Sequence, residues 1–148
     1  MEEAIYKHIL VMTDFSDDAL YAVKVSANLA KSNNSKLTIL HVAHDESQLK
    51  LYVNEEEFEN IRKKLDEEIN NQLKSLNNSV PLLNELEVDY IIRRGIPYVE
   101  GLLEIEKGIY DLVVIGSHGK TSIKKFFYGS TAEKIVRRAP ISVLVTRK

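Results

Sequence analysis

Three of the six glycines in this chain fall within one segment, Gly116-Ser117-His118-Gly119-Lys120-Thr121-Ser122-Ile123-Lys124-Lys125-Phe126-Phe127-Tyr128-Gly129-Ser130-Thr131. Glycine lets backbone N–H groups come close to a bound group. Where such a loop runs into a helix, the unpaired N–H groups of the first turn add partial positive charge. Together these features form a cradle for phosphate. The surrounding charge has the matching sign: from Gly116 onward eight basic residues stand against one acid, and the residues before it carry twelve basic against twenty-one acidic. A solvated basic helix face gives the same count, so the charge agrees with an anion site without specifying one.

Two common nucleotide patterns fail. Gly119-Lys120-Thr121 ends like a Walker A loop, but the position of its first glycine is Val114, and the loop follows the wrong strand. Only Gly116-x-x-Gly119 remains of a dinucleotide fingerprint, and the first strand–helix turn has no glycine, which argues against a hydride-transfer enzyme. A phosphoacceptor receiver domain needs acids at the ends of its first and third strands, whereas the third β-rich run here ends Ile91-Ile92-Arg93-Arg94. With no cysteine there is no disulfide frame, thiolate zinc site or cysteine nucleophile. His118 is a loop histidine for which the sequence implies no Ser or Asp partner, and His8, His41 and His44 lack ligand spacing. No catalytic residue and no protein-held metal site is therefore expected. Lys134, Arg137 and Arg138 suit a helix C-terminus and lack interleaved aromatics, so nucleic acid is not an expected partner.

The elements that must hold the loop can be read from periodicity. Ile5 to Met12 and Leu37 to Val42 are short β-rich runs, and between them Ser16 offers an N-cap followed by Asp17 and Asp18 and an alanine-rich face. Asp14 has the type of a turn residue that helps start that helix. Phe58, Ile61, Leu65, Ile69, Leu73 and Leu76 recur at spacings of three and four, as in a long amphipathic helix. A third strand covers Leu86 to Ile92, a helix runs from Pro97 to Gly108, and Leu112 to Ile115 is a fourth strand. Ser130 to Arg138 form a helix whose Ser130 and Glu133 have capping-box spacing, and Ile141 to Thr146 is a fifth strand. This alternation predicts a single α/β domain, residues 1–148, with a five-stranded parallel doubly wound sheet, a Rossmann-like sandwich, for which the order 3-2-1-4-5 is the expectation. Ligands in such folds bind at the carboxyl ends of the strands where the strand order reverses.

The spacing G-x2-G-x9-G-[ST] at Gly116, Gly119, Gly129 and Ser130 occurs with Ile9-Leu10-Val11-Met12-Thr13-Asp14-Phe15-Ser16 and Leu40-His41-Val42. On these segments the whole chain resembles the universal stress protein family, whose fold is similar to that of the adenine nucleotide alpha hydrolases. The resemblance implies ATP as ligand, with Mg2+ or Mn2+ held by its phosphates. It implies Asp14 and Val42 at adenine, with Met12 and Thr13 beside them, and Gly116, Gly119, Gly129, Ser130 and Thr131 at ribose and phosphates. Met12 stands where ATP-binding members often have a small residue or proline, and its thioether either lines or crowds the adenine pocket.

The leading expectation is a nucleotide-dependent regulatory or stress-response protein. Slow ATP hydrolysis and a nucleotide-free interaction module are the alternatives. Ile141 to Thr146 would lie at an exposed sheet edge, where unpaired backbone groups invite a second copy, so a homodimer through this strand is expected. The first residues lack a basic n-region and apolar core, and no apolar run approaches the ~20 residues of a membrane helix. The expected location is the cytoplasm.

Overall fold

The computed structural model describes residues 5–118 and 129–148. They form a parallel sheet with the strand order β3-β2-β1-β4-β5. The strands are β1 (His8–Thr13), β2 (Lys36–Ala43), β3 (Val88–Arg94), β4 (Leu112–Gly116) and β5 (Ser142–Thr146). The helices are α1 (Asp17–Asn33), α2 (Glu55–Ser79), α3 (Pro97–Ile105) and α4 (Ser130–Arg138), with short 3-10 turns at Ser47–Leu51 and Pro81–Glu85. The predicted strand order is the observed one.

Alternate residues of β1 point to opposite faces of the sheet, and each face has its own core. Ile9 and Val11 join Leu37, Ile39 and Val114 against Ala22, Val23, Ala27 and Ala30 of α1 and Leu76 of α2. Leu10 and Met12 join Leu40, Val113 and Ile115 against Ile105 of α3 and Ala132 and Ile135 of α4. Small residues on α1 bring that helix close to the sheet. Ser16 caps α1 as expected, its hydroxyl accepting from the Ala19 N–H at 3.2 Å, a contact worth about 1 kcal/mol.

Several boundaries differ from the sequence reading. β1 begins at His8 because the Lys7 and His8 N–H groups are taken by the Asp111 carboxylate at 2.8 and 3.2 Å, and Ile5 is exposed. β3 runs on to Arg94, since its pairing with β2 continues to Ala43 opposite Arg94. α3 stops at Ile105, and the chain leaves it through a turn ending at Gly108, whose φ of 76° favours glycine. In α2 the stripe of six apolar residues is buried at Phe58, Ile69, Leu73 and Leu76, whereas Leu65 is exposed. A capping box of Asn54 and Glu57 starts this helix.

The registers align the strand ends that matter. Thr13 lies beside His41, Ala43 beside Arg94, and Gly116 beside Thr146. No helix among the described residues is long and apolar enough to cross a membrane.

Candidate functional site

Beside the ends of β1 and β4, where the chain's crossovers diverge to opposite sides of the sheet, lies a cavity of about 450 Å3. It is lined by residues 12–15, 40–44, 115–118 and 129–132, by Glu46, Arg94 and Pro97, and by Leu65, Glu68, Ile69 and Gln72 of α2. Met12, Thr13, Asp14, Val42, Gly116, Gly129, Ser130 and Thr131, singled out in three separate sequence segments, all line this cavity. Gly119 and Lys120 lie outside the described residues.

The turn after β1 is held by its own side chains. Thr13 Oγ1 accepts from the Phe15 N–H and Asp14 Oδ1 from the Ser16 N–H, both at 3.0 Å. Asp14 thus performs the local turn role its type implies, and it does so on the cavity wall. Between these two bonds Phe15 adopts φ 64°, a left-handed conformation that a bulky side chain enters only when its surroundings impose it. His41 Nδ1 donates to the Thr13 carbonyl at 2.9 Å, and its ring lies 4.4 Å from that of Phe15. Two aromatic rings therefore stand on the wall where β1 and β2 end.

On the β4 side, Gly116 packs closely on α1: a Cβ there would come 3.0 Å from the Asp18 carbonyl oxygen in the first turn of that helix, tighter than ordinary van der Waals contact. The Ser117 N–H donates to the Thr146 carbonyl at 2.9 Å and the Gly129 N–H to the Ser117 carbonyl at 2.6 Å, which ties the start of α4 to the end of β4. Gly129, with φ −60° and ψ 159°, is itself the N-cap of α4 and supplies no side-chain bond. The expected capping box is thus corrected. Ser130 is already the first helical residue, one position too late to cap, and Glu133 pairs with Arg137 at 3.2 Å instead. The first turn of α4, with its N–H-rich positive end, faces the cavity through residues 129–132.

His118 is not the isolated loop histidine that the sequence implies. Its Nδ1 lies 2.9 Å from Ser117 Oγ and 3.7 Å from Asp18 Oδ2, while its buried Nε2 has no hydrogen-bond partner among the described residues. An imidazole held at one nitrogen by a hydroxyl, with a carboxylate nearby and no partner for the other nitrogen among the described residues, can donate that nitrogen's N–H to an anion. The sequence conceals this set because Asp18 reaches it from the other end of the chain.

Arg94 is a second element that sequence reading missed. Its Nε donates to both oxygens of Glu46 at 3.0 and 3.3 Å, and its guanidinium also pairs with Asp66 of α2. Burial lowers the Arg94 pKa, but the Asp66 and Glu46 contacts outweigh that and hold it above the ordinary value. This cluster ties α2 and the segment before it to the sheet end. Leu65, read in sequence as part of the core-facing stripe of α2, borders the cavity instead. Among the described residues no three His, Asp or Glu side chains group as a metal site.

Comparison with known proteins bears on this arrangement. The family model described as "Universal stress protein family" matches residues 5–147. The universal stress protein MJ0577 of Methanocaldococcus jannaschii is 32% identical over 158 residues, covering 97% of this chain and 96% of its own. A solved structure of MJ0577 superposes with a TM-score of 0.79 at 34% identity, covering 97% and 98% of the two chains. Two more distant solved structures share the fold. One is a universal stress protein in complex with cAMP (TM-score 0.70, 22% identity, 97% and 98% covered). The other, from Archaeoglobus fulgidus, is in complex with dAMP (TM-score 0.64, 16% identity, 97% and 99% covered). With the match running almost from end to end, this chain belongs to the universal stress protein family.

Proposed function

We propose that this protein binds ATP, with Mg2+ or Mn2+ held by the phosphates, and works as a nucleotide-dependent regulatory protein. The observation that carries this is the convergence of the β1 turn, the β2 end and the first turn of α4 on one cavity of about 450 Å3. The β4–α4 side is suited to anions: it combines a helix N-terminus, a glycine N-cap without a side-chain bond, and the buried Nε2 of His118. The β1–β2 side, with Val42, Leu40, Phe15 and His41, is suited to a flat apolar base. The relatives solved with cAMP and dAMP agree with an adenine nucleotide as the ligand class. The divalent cation would neutralise phosphate charge, and its protein ligands are not needed for that role.

A second reading, slow hydrolysis of the bound ATP, is favoured by the Asp18–His118 pair, which could accept a proton from water. The proposed assembly is a homodimer through β5, the last strand at one edge of the sheet.

Gly129→Val tests the site. Because φ −60° and ψ 159° suit any residue, the backbone at 129 tolerates the change and circular dichroism should remain native. Calorimetry should show ATP affinity lost, since a branched side chain would stand at the mouth of the helix N-terminus. Retained affinity would move the nucleotide out of this cavity.

A further inference from the structure

Gly101 is buried in α3 and is not among the residues that line the cavity. Its backbone is helical, so no positive φ explains the glycine, and inside a helix glycine is disfavoured relative to alanine. What explains it is a neighbour. A Cβ at this position would stand 2.6 Å from Met12 Cε and 2.8 Å from Met12 Sδ. The thioether end of Met12 therefore occupies the notch left by the missing side chain.

Met12 borders the cavity at the end of β1. Leu40, Ile115, Ala132 and Ile135 are buried members of the same core as Met12, and a close-packed core has no room to spare. Methionine has three rotatable side-chain bonds and yields readily. If the notch were filled, the open volume available to the thioether would be the cavity itself.

We propose that Gly101 is a positioning residue for the cavity: it stows the Met12 thioether against α3 and so keeps the β1 end open to the base of a purine nucleotide. The ligand class rests on the nucleotide reading above. The stowing of Met12 does not. A methionine at the end of β1 is thus compatible with a base-sized pocket because α3 provides space for it, and Gly101 and Met12 act as a pair.

The test compares wild type, Gly101→Ala, Met12→Ala and the double variant. The chain has two methionines, Met1 and Met12, so a 13C-methyl methionine spectrum holds two signals and Met12→Ala identifies one. Gly101→Ala should shift the Met12 methyl signal and weaken ATP binding by about tenfold, the scale of overpacking at a tight site. The double variant should recover affinity to that of Met12→Ala. Unchanged ATP affinity in Gly101→Ala, or a loss that Met12→Ala does not relieve, would overturn the proposal. Saturating the wild type with ATP should also move the Met12 signal, and a signal that stays in place would overturn it without any variant. If the wild type binds no ATP, the nucleotide reading fails, and the response of the Met12 signal to Gly101→Ala still decides whether Gly101 positions Met12.

Discussion

His118 carries the sharpest consequence of bringing single side chains together. Its Nδ1 is engaged by Ser117 at 2.9 Å with Asp18 at 3.7 Å, and its Nε2 is buried without a partner among the described residues. A buried polar nitrogen in that condition is costly, and an anion that accepts from it repays the cost. His118→Phe should therefore weaken ATP by about tenfold or more, the scale of a hydrogen bond to a charged group, while leaving adenosine binding unchanged. The same variant should abolish any phosphate release, which a colorimetric phosphate assay reads; release that persists removes His118 from hydrolysis. None of this was legible from residue type. Ser117 is adjacent in sequence, but the carboxylate belongs to α1, and only the close approach allowed by Gly116 brings Asp18 to the end of β4.

At the scale of elements, α3 is fixed to the sheet by a buried carboxylate. Glu104 is fully buried and accepts from Tyr110 Oη at 2.6 Å, Arg93 Nη1 at 3.1 Å and Lys107 Nζ at 2.9 Å. Burial pushes the Glu104 pKa up, but the bonds from Tyr110 and Lys107 outweigh it and hold the group below the ordinary carboxylate value. Burial and the Glu104 bond push Tyr110 up. Because the folded pKa of Glu104 is the lower one, its stabilisation is complete above the unfolded pKa and is lost as pH falls through the folded value. Glu104→Ala should cost about 3 kcal/mol at neutral pH, because Arg93 and Tyr110 lose a buried partner. Chemical denaturation would measure that loss, and the variant should also show a shallower decline in stability toward acid pH. The helix itself was legible in the Pro97 and Gly108 punctuation, whereas this polar anchor was not: a glutamate on an amphipathic helix reads as solvated until its neighbours are known. The same holds for α4, where capping-box spacing at Ser130 and Glu133 gave way to Gly129 as cap.

For the whole molecule, the edge at β5 sets the expected assembly. Val143, Leu144 and Val145 are only partly buried there, and β5 pairs with β4 on one side alone. An edge of apolar residues with few charges is a template for another strand. Light scattering at micromolar concentration should give the mass of a dimer, and Val143→Pro, which removes a backbone donor, should shift it toward the monomer while circular dichroism reports the fold. A monomeric mass for the unaltered chain would end the dimer proposal, and a dimer indifferent to the proline would relocate the interface.

The sequence by itself determined the strands, the helices and the family, because apolar periodicity, capping residues and glycine spacing are written among neighbours in the chain, and the sheet order followed from the family's fold. It also named most of the cavity's β1, β2 and α4 residues, since strand ends in this fold meet on one side of the sheet. The tertiary structure alone decided which side chains meet across segments: Asp18 with His118, Arg94 with Glu46 and Asp66, and Gly101 with Met12. These contacts depend on register and on the distance between packed helices, which no local pattern encodes. A glycine that in sequence looks like a flaw in a helix thereby becomes the space in which a methionine is held clear of the cavity.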